Sequence, residues 1–223
     1  MTAPPPLYPD LPPVHEDPYL LVFDKPAGLL CVPGRGEDKQ DCLSARAVQR
    51  WPDALIVHRL DMGTSGLVVM ARGLAMQRAL SAAFAERRVR KRYEAVVDGA
   101  MPVRGDWSLI DTPLMADWPR RPLQKVDPAG KPSLTRWKAV SSSSEGDATA
   151  THVLLEPMTG RTHQLRVHLL SIGHPILGDA LYADAEVQAR APRLLLHASE
   201  LGFVHPVTQQ ELRFRRPADF APA

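Results

Sequence analysis

Most enzyme chemistries leave a recognisable mark in sequence, and this chain lacks nearly all of them. Cysteine is scarce: Cys31 and Cys42 are the only two in 223 residues. Their spacing gives neither a disulfide framework nor a metal motif, so both are expected to be reduced thiols of a cytoplasmic protein. No apolar run has the length that crosses a bilayer, and the N-terminus lacks the basic-then-apolar pattern of a secretion signal. There is no Walker-type phosphate loop, no Gly-x-Ser-x-Gly elbow and no His-Glu-x-x-His run. Charge of either sign is not in excess, with 27 basic against 25 acidic side chains and a formal net charge of +2. Such a balance neither demands nor excludes a nucleic-acid partner, because placement of the charges decides. Apolar residues at 44% and charged residues at 23% are ordinary globular values, and the length allows one large domain or two small ones.

What is present is concentrated in two segments. Residues 58 to 66 read His-Arg-Leu-Asp-Met-Gly-Thr-Ser-Gly, which puts the carboxylate of Asp61 close to the guanidinium of Arg59 in a stretch too small and polar for a helix interior. About a hundred residues later comes Gly160-Arg-Thr-His-Gln-Leu-Arg-Val-His168. A loop aspartate beside arginine is often no more than a turn cap or a surface ion pair, and that plain reading stands beside the catalytic one. The neighbourhood favours chemistry: Thr64, Ser65 and Gly66 lead directly into a buried strand, where a sheet can hold a loop rigid. A guanidinium nearby favours the ionised carboxylate, which can act as nucleophile or as base. A metal hydrolase is the competing enzyme class. His163 and His168, however, sit about 140° apart around a helix and on opposite faces of a strand, so neither geometry converges both rings on one ion. Satisfied structural histidines are the better reading. A glycosidase would need a second carboxylate, and Glu156, on a predicted strand, is the nearest candidate.

The rest of the chain predicts an α+β fold with mostly consecutive, largely antiparallel strands. Residues 1–18 hold seven of the 22 prolines and read as an extended, partly disordered lead-in. Order is expected to begin at Tyr19–Phe23, a strand stopped by the turn Lys25-Pro-Ala-Gly28. Asp41 is expected to cap a helix running to about Gln49, and Leu67–Ala71 reads as a buried strand. Met76, Leu80, Ala83 and Phe84 mark an amphipathic helix from about Leu74 to Arg87. Tyr93, Ala95 and Val97 share one face of a strand over Arg90–Val97. Further strands are expected near 106–110, 133–140, 150–156, 193–204 and 210–215, with Ser141–Gly146 as a flexible hairpin-like link. Leu165, His168, Leu169 and Ile172 recur at helical spacing, giving a helix that ends at Gly173. Basic runs at Arg87–Arg92, Arg120-Arg121 and Arg213–Arg216 interleave with Tyr93, Trp118, Trp137 and Phe214. They suit stacking on unpaired bases as well as a solvated face.

Six segments in order, Lys25-Pro-Ala-Gly28, His58–Asp61 with Thr64-Ser-Gly66, Lys91-Arg-Tyr93, Gly130-Lys-Pro132, Gly160–Arg166 and His174-Pro-Ile-Leu-Gly-Asp179, resemble the RluA-type family of pseudouridine synthases. The resemblance runs from Leu20 to about Phe220. Asp117-Trp-Pro-Arg-Arg-Pro122 with Gln124-Lys125, and Ala191–His197, are similar to the dual-specificity branch. It implies the family's fold, a largely antiparallel mixed sheet flanked by helices and loops around a central active-site cleft, over residues 19–223 behind the 1–18 extension. It also implies that the S4 RNA-binding domain of many relatives is missing. The implied activity is isomerisation of uridine to pseudouridine in the tRNA anticodon stem-loop (position 32) and a 23S rRNA hairpin (position 746), by a monomer with no cofactor, no metal and no membrane partner. The alternatives are the same chemistry on another tRNA or rRNA uridine, or an RNA-binding protein without catalysis. By position, Asp61 would be the catalytic aspartate, acting at ribose C1′ or abstracting a proton at C2′. Tyr93 would stack on uracil and could act as base at C5. Arg166 would form the ion pair that positions Asp61, and Leu165 would pack against the base, where the family often has Ile. Arg59 would fill the space vacated by the flipped uridine. His58, Thr64 and Gln164, inside the matching motifs, would join Arg59 and Leu165 in binding substrate.

Overall fold

The computed structural model describes residues 11–145 and 148–220. The chain forms two compact units, one from the residues up to Arg90 together with Glu200–Arg216, the other from Lys91–Ser199 with the residues from Pro217 on. Among the described residues no helix is long and apolar enough to cross a membrane.

The first unit begins earlier than the sequence led us to expect. A short strand β1 (His15–Glu16) lies antiparallel to β2 (Leu20–Lys25), so order reaches back into the proline-rich lead-in, of which residues 1–10 lie outside the described part. The two ends of this tight connection are held by Asp17, whose carboxylate accepts the amides of Tyr19 and Leu20 at 2.7 and 2.9 Å. Helix α1 (Leu43–Arg50) is capped by Cys42, not by Asp41. The thiol of Cys42 accepts from Ala45 N–H at 3.4 Å, while Asp41 is captured by Arg46, which donates from Nε and Nη2 at 2.6 and 2.5 Å. The carboxylate of Asp41, one residue ahead of the cap position, is turned to the guanidinium fork instead. Next come β3 (Ala54–Ile56), β4 (Ser65–Arg72) and α2 (Leu74–Ala85). β2 and β3 both pair antiparallel with β4, which is buried along nearly its whole length. Leu20, Val22, Leu67, Val69 and Ala71 meet Met76, Leu80 and Ala83 of α2 in one cluster, the predicted helical stripe facing the predicted strand.

In the second unit β5 (Arg90–Asp98) is followed by β6 (Ser108–Asp111), β7 (Leu114–Ala116), β8 (Gln124–Val126), β9 (Leu134–Glu145) and β10 (Ala148–Pro157). β5, β10, β9 and β6 pair antiparallel in that order, and β7 with β8 makes a separate hairpin. The serine run that read as a flexible link is strand instead. β9 and β10 stay paired to Glu145 opposite Ala148, with cross-strand hydroxyl contacts Ser142–Thr151 at 2.8 Å and Ser144–Thr149 at 3.4 Å. Facing hydroxyls stabilise a ladder that propensity alone would not. The tip, residues 146–147, lies outside the described part. Helices α3 (Gln164–Ser171) and α4 (Ala185–Ala189) follow. α3 ends at Gly173, where φ is 84° and His174 N–H returns to Leu169 O at 3.0 Å. Leu165 and Leu169 pack with Ala95, Val97, Val153 and Leu155 of the sheet, as the spacing required. β11 (Leu196–Val204) carries the chain back into the first unit, where its residues 200–204 pair antiparallel with β12 (Glu211–Arg215).

Candidate active site

Asp61 sits in the loop between β3 and β4, half-buried, with Arg59 and Met62 exposed on either side. Its carbonyl accepts Thr64 N–H at 3.1 Å, closing a tight turn, and Thr64 itself is only 2% exposed. Three braces hold this loop. Leu60 N–H donates to the Cys31 thiol at 3.2 Å. Gly28 N–H donates to Met62 O at 2.8 Å, from a backbone with φ of 87° that a side chain would oppose. The third is Lys25, fully buried, whose ammonium donates to Pro26 O, Leu29 O and Met62 O at 2.9, 2.8 and 3.3 Å. An ammonium has three N–H groups, and all three find carbonyls here. Burial nevertheless pushes Lys25 down to about 8, against the opposing pull of Cys31 and Asp61. The same burial pushes the Cys31 thiol up.

His58 is part of this scaffold. Its Nε2 accepts Val69 N–H at 3.1 Å, which places the ring proton on Nδ1, and the ring stacks on Phe84 at 4.4 Å. Expected as a substrate contact, it also pins the Asp61 loop to β4 and α2.

The other candidate residues belong to the second unit. Tyr93 lies on β5 opposite Leu155, half-buried, on the face shared by Ala95 and Val97. It packs on the apolar cluster to which Leu165, 6% exposed, also belongs. Gln164 was expected to touch substrate, and the geometry gives it different work. Only 3% exposed, it donates to Leu134 O and Thr135 Oγ1 at 3.0 Å each and accepts from Thr159 Oγ1 at 2.7 Å and Arg161 N–H at 3.0 Å. Both ends of the amide are taken up in joining α3 to β9 and to the loop before it.

Arg166 is 6% exposed and forked onto Asp179, with Nε to Oδ2 at 2.8 Å and Nη2 to Oδ1 at 2.6 Å. Asp179, 1% exposed, also accepts Leu181 N–H at 2.9 Å and Tyr182 N–H at 3.2 Å. Nε and Nη2 of the guanidinium are thus committed to Asp179. The sequence reading quoted Asp179 within a motif but gave it no role. The signal was there: it is the acidic residue that closes a motif following a run of arginines and histidines. Gly178 before it explains itself, since a Cβ at that position would stand 1.9 Å from Arg193 O.

The histidines of the second cluster are occupied by the protein. His168, wholly buried, contacts Thr135 Oγ1 at 2.9 Å and Thr112 O at 3.0 Å, and burial lowers its proton affinity. His163 contacts the Tyr182 hydroxyl at 2.7 Å. Much of the positive charge that read as an RNA-facing run is also partnered at home. The buried Glu200 holds Arg90, Arg213 and Arg215, and Glu156 holds Arg92 and Arg136. The tip of the β7–β8 hairpin differs: Trp118 is 62% exposed, with the Arg121 guanidinium 3.8 Å from its ring centre and Arg120 paired to Asp117.

Comparison with known proteins shows the family. The family described as RNA pseudouridylate synthase matches residues 19–171. The chain is 47% identical, over 218 residues and 97% of both chains, to the dual-specificity RNA pseudouridine synthase RluA of Escherichia coli K12. It is 45% identical to the protein of that name from Yersinia pestis, over 93% of this chain and 98% of the other. Among solved structures, human RNA pseudouridylate synthase domain containing 1 superposes with a TM-score of 0.80 at 28% identity, covering 99% of this chain and 88% of that one. With a braced aspartate loop, a half-buried tyrosine against an apolar wall and a buried arginine fork, the chain belongs to the RNA pseudouridylate synthase family and is an isomerase that converts uridine in RNA to pseudouridine.

Proposed function

We propose that the chain modifies two RNA contexts of similar local form, the tRNA anticodon stem-loop and a 23S rRNA hairpin, at the uridines expected at positions 32 and 746. The support is its 47% identity along 97% of both chains to relatives whose name carries dual specificity. Monomeric action in the cytoplasm, without metal or cofactor, completes the reading.

The chemistry asks for enclosure more than for reagents. Breaking N1–C1′, turning the uracil and joining C5 to C1′ conserves every atom of the nucleotide apart from proton exchange. The protein therefore has to hold both fragments and exclude water between steps. In this reading Asp61 acts at C1′ or takes the proton from C2′. Tyr93 stacks on the uracil and stands ready as base at C5, with Leu165 as the apolar wall. Arg166 forms the ion pair that positions the catalytic carboxylate. Arg59, exposed two residues before Asp61, takes the space left by the everted nucleotide and offsets part of an unstacking cost of a few kcal/mol. Thr64, His58 and Gln164 serve by holding these groups in place.

The test is conversion of a stem-loop transcript and a 23S hairpin transcript, read as mass-neutral change followed by pseudouridine-specific chemical labelling. Asp61→Asn should fold normally and lose activity by about 10³-fold or more. Arg59→Ala should keep the stability of the parent and slow the single-turnover rate by about 10- to 100-fold, the kinetic equivalent of about 1.4–2.8 kcal/mol. Turnover by Asp61→Asn would remove the assigned catalyst. Conversion of bulk RNA but of neither transcript would refute the choice of target while leaving the chemistry intact.

A further inference from the structure

Tyr182 occupies a junction that the reaction scheme above does not use. Its ring centre lies 4.9 Å from the Arg166 guanidinium carbon, so it covers one face of the group whose edge is forked onto Asp179. Its hydroxyl accepts Gln124 N–H from β8 at 2.8 Å and contacts His163 Nδ1 at 2.7 Å. Its own amide binds Asp179, the partner of Arg166. One side chain thus touches the guanidinium, the residue that starts α3 and the hairpin β7–β8.

The conformation of His163 shows that this junction is held against a local preference. His163 is the N-cap of α3 with φ of 53° and ψ of 18°, a left-handed backbone that a non-glycine residue disfavours. Its contact with the Tyr182 hydroxyl is one of the interactions that oppose this preference. A cleft of about 380 Å3 beside this junction is lined by Leu123, Val126, Val167, Leu170, Leu181 and Tyr182. The Gln124–Tyr182 bond ties β8 to the loop that follows α3. The ring adds a cation–π contact to the guanidinium beside the carboxylate fork.

We propose that Tyr182 is a positioning residue for catalysis: its ring fixes the plane of Arg166, and its hydroxyl fixes the ring by tying it to β8 and to His163. The inference rests on the catalytic reading of Arg166 given above. It assigns Tyr182 no contact with the reacting uridine. Its effect must therefore pass through Arg166, and a merely structural role would not behave that way.

The experiment compares Tyr182→Phe, Tyr182→Leu, Arg166→Lys and the Tyr182→Leu/Arg166→Lys double variant on an RNA transcript that the parent protein converts. Single-turnover rates at saturating RNA, RNA affinity and melting are measured, with rates taken well below each melting temperature. Tyr182→Phe, which keeps the ring, should slow the rate by about 3- to 10-fold, and Tyr182→Leu by about 30-fold or more, with RNA affinity within about two-fold of the parent in both. In the Arg166→Lys background the leucine substitution should add less than about two-fold, because the group it positions is already gone. A parent-like rate in Tyr182→Leu beside a slow Arg166→Lys would overturn the assignment. So would equal losses in both backgrounds, or a loss confined to RNA affinity. A parent-like rate in Arg166→Lys would instead refute the role of Arg166 itself. If Tyr182→Leu does not fold, Tyr182→Phe decides alone: a parent-like rate overturns the assignment, and a slowed rate with unchanged affinity supports it.

Discussion

Replacing Asp179 with Asn is the sharpest probe of how this protein holds its buried charge. The carboxylate is 1% exposed and accepts four hydrogen bonds, two from Arg166 and two from the amides of Leu181 and Tyr182. An amide in its place keeps one acceptor oxygen, turns an NH2 toward a guanidinium and removes the negative charge from a buried ion pair. Breaking such a pair from one side typically costs about 3–5 kcal/mol, because the remaining ion stays desolvated. Against a total stability of about 5–15 kcal/mol this is a large fraction. With a urea slope of about 2–3 kcal/mol per M for a chain of this size, the midpoint should fall by about 1–2.5 M. The same principle makes an opposite forecast for the double change Arg166→Met/Asp179→Leu. Two apolar side chains of similar volume should recover most of the lost stability while activity stays absent. Equilibrium urea unfolding at neutral pH, followed by tryptophan fluorescence, checks both. A single variant whose midpoint lies within about 0.3 M of the parent would show that the pair is not the buried, mutually dependent unit described here.

Two other substitutions test separate parts of the scaffold. Gly178→Ala places a methyl 1.9 Å from Arg193 O at a residue with φ of 73°, so the backbone itself must shift; the expected loss is about 2–4 kcal/mol, visible as a lower melting temperature, and an unchanged melt would refute the close approach. Lys25 has its proton affinity pushed down from 10.5 to about 8 by burial, so between those values the unfolded chain holds the proton that the folded chain has released. Stability contributed at this position should therefore rise with pH from about 8 toward 10.5, by at most about 1.4 kcal/mol per pH unit. Lys25→Met should lack that increment when urea unfolding is compared at pH 7.5 and 9.5, and identical slopes in the two proteins would remove the cause assigned.

The elements that carry the candidate residues were legible because their signals are local. β4 is a continuous apolar run, α2 shows its stripe at Met76, Leu80 and Ala83, and α3 shows Leu165 and Leu169 one turn apart. What escaped was competition between partners. Asp41 is a good helix cap by type, yet Arg46 five residues on takes its carboxylate and leaves the cap to the Cys42 thiol. The serine run has the composition of a loop, but Thr149 and Thr151 on the facing strand give its hydroxyls partners. Lys25 was recoverable in principle: period-two alternation along β2 puts it on the face of Leu21 and Phe23, a charged group where an apolar one belongs. Reading it as part of a turn hid the carbonyls that receive its ammonium.

The same distinction explains why the candidate site was only half visible. Residues proposed to meet substrate, such as Asp61 and Tyr93, announce themselves by chemical type within short motifs. Residues that hold them act through contacts between segments distant in sequence, such as Lys25 with Met62 at 37 residues and Gln164 with Leu134 at 30. An isomerase that conserves every atom of its nucleotide gains most from that second class. Its barrier is lowered by holding two fragments in register while water is kept away, and a shift of about 1 Å in a supporting group can slow such a step by about 100-fold. Buried polar groups satisfied only by other protein groups, including the three carbonyls on Lys25 and the four hydrogen bonds on Asp179, are the physical form that such rigidity takes.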